Sequence, residues 1–314
     1  MNPKKALLIL HSDKFLELAF PMTINPALLR YSSLLAVIIL LITCSTCQRE
    51  SGSGTKSTPL FDSIPVVVPV IPLIAEASGI ADSKKIAGNL WVQEDSGNPP
   101  QLTLLKHNGA VQRTVYIKGA VNRDWEDIVL AGTDIYIGDV GDNNAVYPDY
   151  TFYKFPEPGL NIDTVTAFET IRFRYADGAH DAEAFLVEPS AKNIYIITKR
   201  DVPSRIFKLT APFISGTIYT AEEVGRLSYT GVVSAALSAD AKEIIIKTYL
   251  SLNYYKIGAG EKIETALQKA PAIIPYQIEP QGEAVCFSND NNGYFTVSEK
   301  GFGSDVKLYF YKRN

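Results

Sequence analysis

The sequence predicts an all-β fold, a β-propeller of five four-stranded blades that an N-terminal strand closes. The first observation is a repeat near fifty residues long, marked by two bulky apolar residues followed by lysine. The intervals between these lysines are 48, 54, 48 and 56 residues. The second observation is that three other strand-like runs stay in phase with this column, as four-stranded units require. The lysines are Lys106, Lys154, Lys208, Lys256 and Lys312.

The four predicted strands of each unit follow one another in a fixed order. The first strands begin at Ser78, Glu126, Glu183, Ala235 and Glu283. The second strands are predicted over residues 90 to 95, 135 to 140, 194 to 199, 244 to 249 and 293 to 299. The third strands end at the repeat lysines. The fourth strands are predicted over residues 111 to 119, 168 to 177, 222 to 230 and 270 to 278.

The fifth unit has no fourth run, since Asn314 follows its lysine closely. We expect the run IPVVVPVIPLI, residues 64 to 74, to supply that strand. Its prolines at 65, 69 and 72 suit an outermost edge strand, where missing N–H donors are tolerated. A two-sheet sandwich would explain the strands but not the period, whereas a six-bladed propeller stays open as an alternative.

Length, composition and charge narrow the class of protein. The chain has 314 residues, of which 46% are hydrophobic, so it can bury a large core in one domain. The formal net charge is -4, and acidic residues exceed basic ones after residue 43. This balance disfavours a nucleic-acid partner. We expect a monomer.

The N-terminal segment resembles a secretion signal. The apolar run from Leu34 to Ile42 is short for a bilayer span but has the length of a signal-peptide core. The following LITC, ending at Cys44, resembles the lipobox of bacterial lipoproteins, although Thr43 and the nearby Cys47 leave the lipidated cysteine open. A plain signal peptide with secretion, or a short membrane anchor, is the alternative. Translation could also begin at Met22.

These features divide the chain into three predicted parts. Residues 1 to 47 form the signal or lipoprotein anchor, residues 48 to 62 a flexible Gly/Ser/Thr-rich tether, and residues 63 to 314 the propeller. Within the propeller the single cysteine, Cys286, has no partner for a disulfide. We expect it to be a small buried apolar residue.

Propeller geometry brings two loops of each unit to the same face of the disc. One loop enters the first strand, and the other joins the second strand to the third. In the second unit these loops carry Asp124, Glu126 and Asp127, and then Asp139, Asp142 and Asn143. The other units add Asp95, Asn98, His180, Asp181, Lys199, Asp201 and Glu299 to this face.

Three glutamates occupy equivalent positions at the start of first strands, so we expect Glu126, Glu183 and Glu283 to converge in the channel. Like charges this close require a cation, a lysine or raised pKa values. Oxygen ligands favour Ca²⁺, Mg²⁺ or Mn²⁺ over zinc. Lys199 and Lys247 could instead neutralise them without a metal. A bound cation, a metal-free acidic pocket and purely structural hydrogen bonding all stay open.

Several motifs between residues 75 and 300 carry a family resemblance. EASGIADS, DWEDIVL, IYIGDVGDNN, YADGAHDAEAFLVEP and IYIITK resemble a group of secreted bacterial β-propeller proteins that share the pattern DWEDIA...GDIGDN...DAEAL. The chain is more distantly similar to SdiA-regulated periplasmic propellers and to esterase-like phytase and gluconolactonase-type propellers. The last two types hold calcium or another divalent cation in the channel. The resemblance therefore implies ligands at Glu126, Glu183, Glu283, Asp95, Asp139 and Asn143.

Two functions follow as hypotheses. The first is a cell-envelope binding protein whose acidic, cation-loaded face takes a small polar ligand, a glycan or a protein. The second is a metal-dependent hydrolase of phosphoesters or lactones, in which the cation activates water and His180 or Asp139 moves protons. His180 is a weak candidate, since no nucleophile accompanies it in a known motif. The ligand face is expected to be lined by Asp124, Asp127, Asp142, Asp181, Lys199 and Glu299.

Overall fold

The computed structural model describes residues 59 to 314. The predicted anchor, with Cys44, and most of the predicted tether therefore lie outside the described residues. No helix in the described part of the chain is long and apolar enough to span a bilayer.

The described chain consists almost entirely of strands. They are β1 (Val66–Pro69), β2 (Ala77–Asp82), β3 (Asn89–Glu94), β4 (Gln101–Lys106), β5 (Val111–Ile117), β6 (Trp125–Ala131), β7 (Asp134–Asp139), β8 (Tyr150–Pro156), β9 (Thr164–Val165), β10 (Glu169–Tyr175), β11 (Ala182–Val187), β12 (Ile194–Thr198), β13 (Arg205–Leu209), β14 (Ile218–Arg226), β15 (Val232–Leu237), β16 (Glu243–Thr248), β17 (Leu252–Lys256), β18 (Ala272–Ile274), β19 (Ala284–Phe287), β20 (Gly293–Val297) and β21 (Lys307–Lys312). A four-residue helix, α1 (Ile263–Ala266), precedes β18.

The strands form antiparallel groups of four, as predicted. Unit 1 is β2-β3-β4-β5, unit 2 is β6-β7-β8-β10, unit 3 is β11-β12-β13-β14, unit 4 is β15-β16-β17-β18, and unit 5 is β19-β20-β21-β1. Two parallel pairings add to this pattern. The short β9 extends the edge of unit 1, and β10 pairs with β14, which joins units 2 and 3 into one eight-stranded sheet.

The first strands of the units enclose a central channel. β2 contacts β6 and β19, β11 contacts β6 and β15, and β15 contacts β19, so the contacts close into a ring. Strands that meet at an axis, with each sheet extending outward, are the arrangement of a propeller. A two-sheet sandwich has no such ring, and the structure therefore supports the propeller-like fold.

The predicted closing strand lies where the prolines allow it. β1 pairs antiparallel with β21 from Val66↔Phe310 to Pro69↔Lys307 and is the outermost strand of unit 5. The fold also includes the last residues of the predicted tether. Phe61 is fully buried and bridges Arg313, and the backbone N–H of Asp62 donates to Lys312. The residues that precede β1 and the C-terminal residues that follow β21 thus add to the closure that β1 provides.

The hydrophobic core consists of layers between neighbouring units. Trp91 of unit 1 packs with Ile128 of unit 2, and Phe152 of unit 2 packs with Phe185 of unit 3. Cys286 belongs to the layer between units 5 and 1, where it is a free, buried thiol, as predicted. Each sheet buries both faces in this way near the channel, so inner strands such as β11 and β12 are buried at every position. Outer strands such as β10 contain exposed polar residues between the buried ones.

Candidate functional site

A β-bulge at the start of the first strand positions the channel carboxylates. In β6, Trp125 pairs with Asp139 and Asp127 pairs with Gly138, so Glu126 is the extra residue. A bulge re-aims the side chain of its extra residue and occurs often beside functional sites. The same register shift recurs in β2, β11 and β15. The extra residues are Ser78, Glu126, Glu183 and Val233.

This register corrects one predicted equivalence. Val233, not Ala235, occupies the position of Glu126 in unit 4, because the bulge lies between Val232 and Ser234. Ala235 lies two residues further on and packs in the core between units 3 and 4. In unit 5, Glu283 directly precedes the first paired residue of β19, Ala284.

Carboxyl groups from several units meet at this level, which we call the channel mouth. Glu126 is only 5% exposed, and burial raises its pKa well above the ordinary value. Nearby negative charges raise it further. They belong to Glu183, Asp95, Asp124 and Glu283. The structure thus brings together the three glutamates that the repeat placed in equivalent positions, and adds two aspartates.

One half of the channel mouth contains carboxylates without a neutralising partner. Asp95, Asp124 and Glu126, the acidic triad, each offer an oxygen, and these oxygens lie within 4.8 Å of one another. No described residue donates a hydrogen bond to the Glu126 carboxylate. Burial and the charge of Asp95 raise the pKa of Asp124 to about 6, and burial also raises that of Asp95. This spacing suits a metal ion.

Short contacts between loops hold the acidic triad. Asn122 Nδ2 donates to the backbone oxygen of Asp95 at 2.8 Å, and Asp139 Oδ1 accepts from the backbone N–H of Asp124 at 2.8 Å. Gly141 lies against the triad so closely that a Cβ there would overlap Glu126 Oε1. The second glycine of the GDVGDN motif is therefore required because a larger residue would not fit beside the triad.

The other half of the channel mouth contains one lysine and two neutral hydrogen-bond donors. Lys199 Nζ forms an ion pair with Glu183 and lies 3.1 Å from the Tyr249 hydroxyl, which donates to Glu283 at 2.5 Å. Gln281 Nε2 donates to Glu299 at 3.0 Å. Burial raises the pKa of Glu183 to about 8, although Lys199 opposes the shift, and Glu183 raises the pKa of Lys199. Burial and Glu283 raise the pKa of Glu299 to about 9.

Tyr249 and Gln281 lie in the channel mouth but were not predicted from the sequence. Tyr249 follows β16 directly, as Lys199 follows β12, so the repeat did contain a positional signal for it. Its residue type gave no reason to single it out among many tyrosines. Gln281 lies in an irregular loop, with a positive φ of 43°, and nothing in the repeat marks it.

Four predicted face residues have structural partners instead. Asp127 is fully buried and accepts from Ser234 Oγ at 3.1 Å and from the Ala235 N–H at 3.2 Å, which ties β6 to β15. Asp142 accepts from the Tyr150 hydroxyl and from two backbone N–H groups of its own loop. The other two are Asp181, which lies 2.7 Å from Arg200 Nε, and Asn143, whose amide oxygen accepts from Arg200.

The two candidates for proton transfer are both engaged. His180 Nδ1 lies 3.0 Å from Asp201, and its Nε2 lies 3.1 Å from Asp177 and 2.9 Å from Arg205. Asp139 holds the backbone of Asp124 and lies 4.0 Å from Arg123 Nε. Either residue would have to give up loop contacts to act as an acid or a base.

Lys247 does not reach the channel mouth. Its ammonium is completely buried, 3.5 Å from Glu279 and 3.8 Å from the centre of the Tyr276 ring. Burial lowers the pKa of Lys247 and raises that of Glu279. This pair neutralises itself between units 4 and 5, so Lys199 is the lysine that offsets the channel glutamates.

The opposite end of the channel is narrow. The ends of the first strands enclose a cavity of about 60 Å³ there, lined by apolar residues such as Ile80 and Val285 and by polar ones such as Asp82 and Asn289. A cavity of this size holds a few water molecules at most. A ligand of the channel would therefore enter from the channel mouth.

Comparisons with known proteins give only distant likenesses. No protein-family model and no curated protein matches the sequence. Among solved structures, the holo PQQ domain of a pyranose dehydrogenase from Coprinopsis cinerea is 10% identical, covers 82% of this chain and 98% of its own, and has a TM-score of 0.47. Kuenenia stuttgartiensis hydrazine synthase is 13% identical over 73% of this chain, with a TM-score of 0.38. This chain spans 57% of that protein, and the fold assignment rests on strand order instead.

Proposed function

We propose that this protein is a five-bladed propeller that binds a divalent cation through Asp95, Asp124 and Glu126. Calcium is the cation that we propose before magnesium or manganese. The cation-loaded face would present itself to a small polar ligand, a glycan or a protein. The observation that carries the proposal is the Glu126 carboxylate, which is buried beside two other carboxylates without a hydrogen-bond donor from the described residues. Asp139 and Asn143 bind Asp124 and Arg200 rather than completing this set.

The charge balance of the channel mouth favours a cation. Six carboxyl groups lie there, and among the described residues one ammonium, that of Lys199, is within ion-pair distance of them. A buried charge without a partner costs several kcal/mol, unless protonation or an ion removes it. A divalent cation at the triad would neutralise the half that Lys199 does not reach. The carboxyl groups are Asp95, Asp124, Glu126, Glu183, Glu283 and Glu299.

The ligand chemistry favours calcium and leaves room for a further ligand. Calcium takes six to eight oxygen ligands in flexible geometry. Three carboxylates from one side leave coordination positions for water or for hydroxyl and carboxylate oxygens of a bound molecule. This arrangement supports the binding of a polar ligand.

Binding is better supported than hydrolysis. A hydrolase of phosphoesters or lactones needs a group that can move protons near the cation. His180 and Asp139, the sequence candidates, both hold neighbouring loop groups. We therefore place binding first.

Calcium titration by calorimetry on the full-length chain in detergent tests the cation site. Glu126→Gln and Glu183→Gln make the same isosteric change at equivalent bulge positions. Glu126→Gln should weaken calcium binding at least about tenfold, since a buried charged ligand is lost. Glu183→Gln should retain it, because Glu183 pairs with Lys199. Wild-type protein without calcium binding, or equal loss in both variants, would refute the proposed ligand set.

The location at the cell envelope is proposed from the N-terminal sequence alone. Lipidation of Cys44 should place the protein in the membrane fraction, and Cys44→Ala should release it. Equal membrane association of the variant would assign the anchoring to the apolar run instead.

A further inference from the structure

A cleft that no site above uses lies between unit 1 and unit 5. It has a volume of about 400 Å³, which is within the range of small-molecule pockets. It opens near the last residue of β2, Asp82, and therefore on the face away from the channel mouth. Its lining includes Asp82, Lys84, His107, Asn289, Phe295 and Phe310.

A fixed imidazole faces this cleft. His107 Nε2 lies 2.7 Å from Asp82 Oδ1, and Asp82 Oδ2 accepts from the Asn289 N–H at 2.7 Å. Because a carboxylate can only accept, Nε2 carries a proton, and in the neutral form of the ring Nδ1 is then an acceptor. No described residue contacts that nitrogen with a hydrogen bond. His180, in contrast, has both ring nitrogens engaged.

The rest of the wall is aromatic and aliphatic. The His107 ring lies 4.5 Å from the Phe295 ring, which lies 4.6 Å from that of Phe310, and Val66 of β1 adds an exposed apolar side chain. A Cβ at Gly293 would overlap the backbone oxygen of Tyr311 and lie 2.8 Å from the Phe310 ring, so only glycine fits beside this wall. A flat apolar molecule could stack on these rings.

The geometry points to a binding site for a neutral planar aromatic molecule that carries one N–H or O–H donor. The rings would cover its faces, and His107 Nδ1 would accept from its donor. Asn289 Nδ2 donates to the Asp82 backbone oxygen at 2.7 Å, which leaves its Oδ1 as a second acceptor. The cleft is lined by charges of both signs, such as Lys84 and Asp290. A charged ligand would therefore gain little binding energy over a neutral one.

Indole and benzofuran, which has the same shape without the N–H, are matched probes for this site. We expect the full-length protein to bind indole about tenfold more tightly than benzofuran in ligand-observed NMR titrations, because one buried hydrogen bond separates them. His107→Leu should remove the preference while retaining weak binding of both probes. Phe310→Ala should weaken both, whereas Phe302→Ala, which truncates an exposed phenylalanine outside the cleft, should change neither.

Thermal melting of each variant shows that it is folded. If folded wild-type protein binds neither probe, or binds both equally, the proposal is wrong. An indole affinity that Phe302→Ala lowers as much as Phe310→Ala would also overturn it. Glu126→Gln should leave indole binding unchanged. The proposals for the indole site and for the cation site can therefore be refuted independently.

Discussion

Glu126 and Asp127 are consecutive carboxylates of β6 in different surroundings. The bulge aims Glu126 into the channel mouth without a donor, while Asp127 accepts hydrogen bonds from Ile128, Ser234 and Ala235. Ser234 Oγ in turn accepts from the Val285 N–H at 3.3 Å. Adjacent residues of one chemical type thus have separate roles, and Asp127 belongs to the scaffold.

Asp127→Ala should lower the free energy of unfolding by about 3 kcal/mol, because buried donors of β6 and β15 lose their acceptor. Urea unfolding followed by circular dichroism measures the change. Asp305→Ala is the control, since its exposed pair with Lys307 should contribute less than about 1 kcal/mol. Equal effects of the two substitutions would contradict the scaffold role of Asp127.

Gly141→Ala should weaken calcium binding at least about tenfold, because its Cβ would displace Glu126 Oε1 and press on Asp124. Calorimetric titration of the full-length chain measures the affinity. Gly159→Ala is a matched control, since no atom lies within 4 Å of its added Cβ. If both variants bind calcium as the wild type does, Glu126 is not a ligand.

At the scale of the element, the bulge decides which residues reach the channel. Every bulge adds one residue to the strand. Side chains after the bulge therefore point to the face opposite to the one that unbroken alternation would give them. Val233 belongs to no apolar layer, whereas Ala235 packs in the core between units 3 and 4. Substitutions at these two positions therefore test whether Val233, as the structure has it, or Ala235, as the sequence predicted, occupies the position of Glu126 in unit 4.

Val233→Glu should add a fifth glutamate to the channel mouth and lower the melting temperature of the calcium-free protein, with partial recovery on adding calcium. Ala235→Glu should bury a carboxyl in the apolar layer and destabilise by about 3 kcal/mol or more. Calcium should not restore it. Differential scanning calorimetry with and without calcium measures both, and rescue of Ala235→Glu alone would mean that the register is wrong.

The strands were predictable because their apolar runs recur at a fixed period, and β1 because its prolines exclude a central position. The convergence of Glu126, Glu183 and Glu283 followed from the same repeat. The bulges were not predictable, since a single extra residue leaves no mark on the spacing of the repeat. For the same reason the sequence could not separate Asp127 from Glu126, nor show that Lys199 reaches only one half of the channel mouth.

At the scale of the whole molecule, the ring closes where its two ends meet. β1 pairs with β21, and the backbone of Leu60 accepts from the last residue, Asn314. Closure completes the ring of first strands, and the carboxyl groups at their starts meet inside it. The electrostatic strain of the channel mouth therefore acts on the stability of the entire domain rather than on one loop.

The calcium-free protein should become less stable as the pH rises from 5 to 8. Burial raises the pKa of Asp124 to about 6 and that of Glu183 to about 8, and it raises that of Glu126 strongly. In the unfolded chain carboxyl groups lose their protons near pH 4. The folded state thus binds more protons in this window, so the free energy of unfolding falls with increasing pH.

We expect the melting temperature to fall by roughly 5 °C between pH 5 and pH 8 in the presence of a chelator. Saturating calcium should abolish or reverse this slope, because it binds the ionised carboxylates. Glu126→Gln, which cannot ionise, should flatten the slope in chelator and lose the calcium response. Carboxyl groups with lowered pKa, such as Asp177 and Glu223, act below this window and do not confound it. A melting temperature that rises across the window in chelator would show that the channel carboxyl groups are compensated within the protein, without a cation.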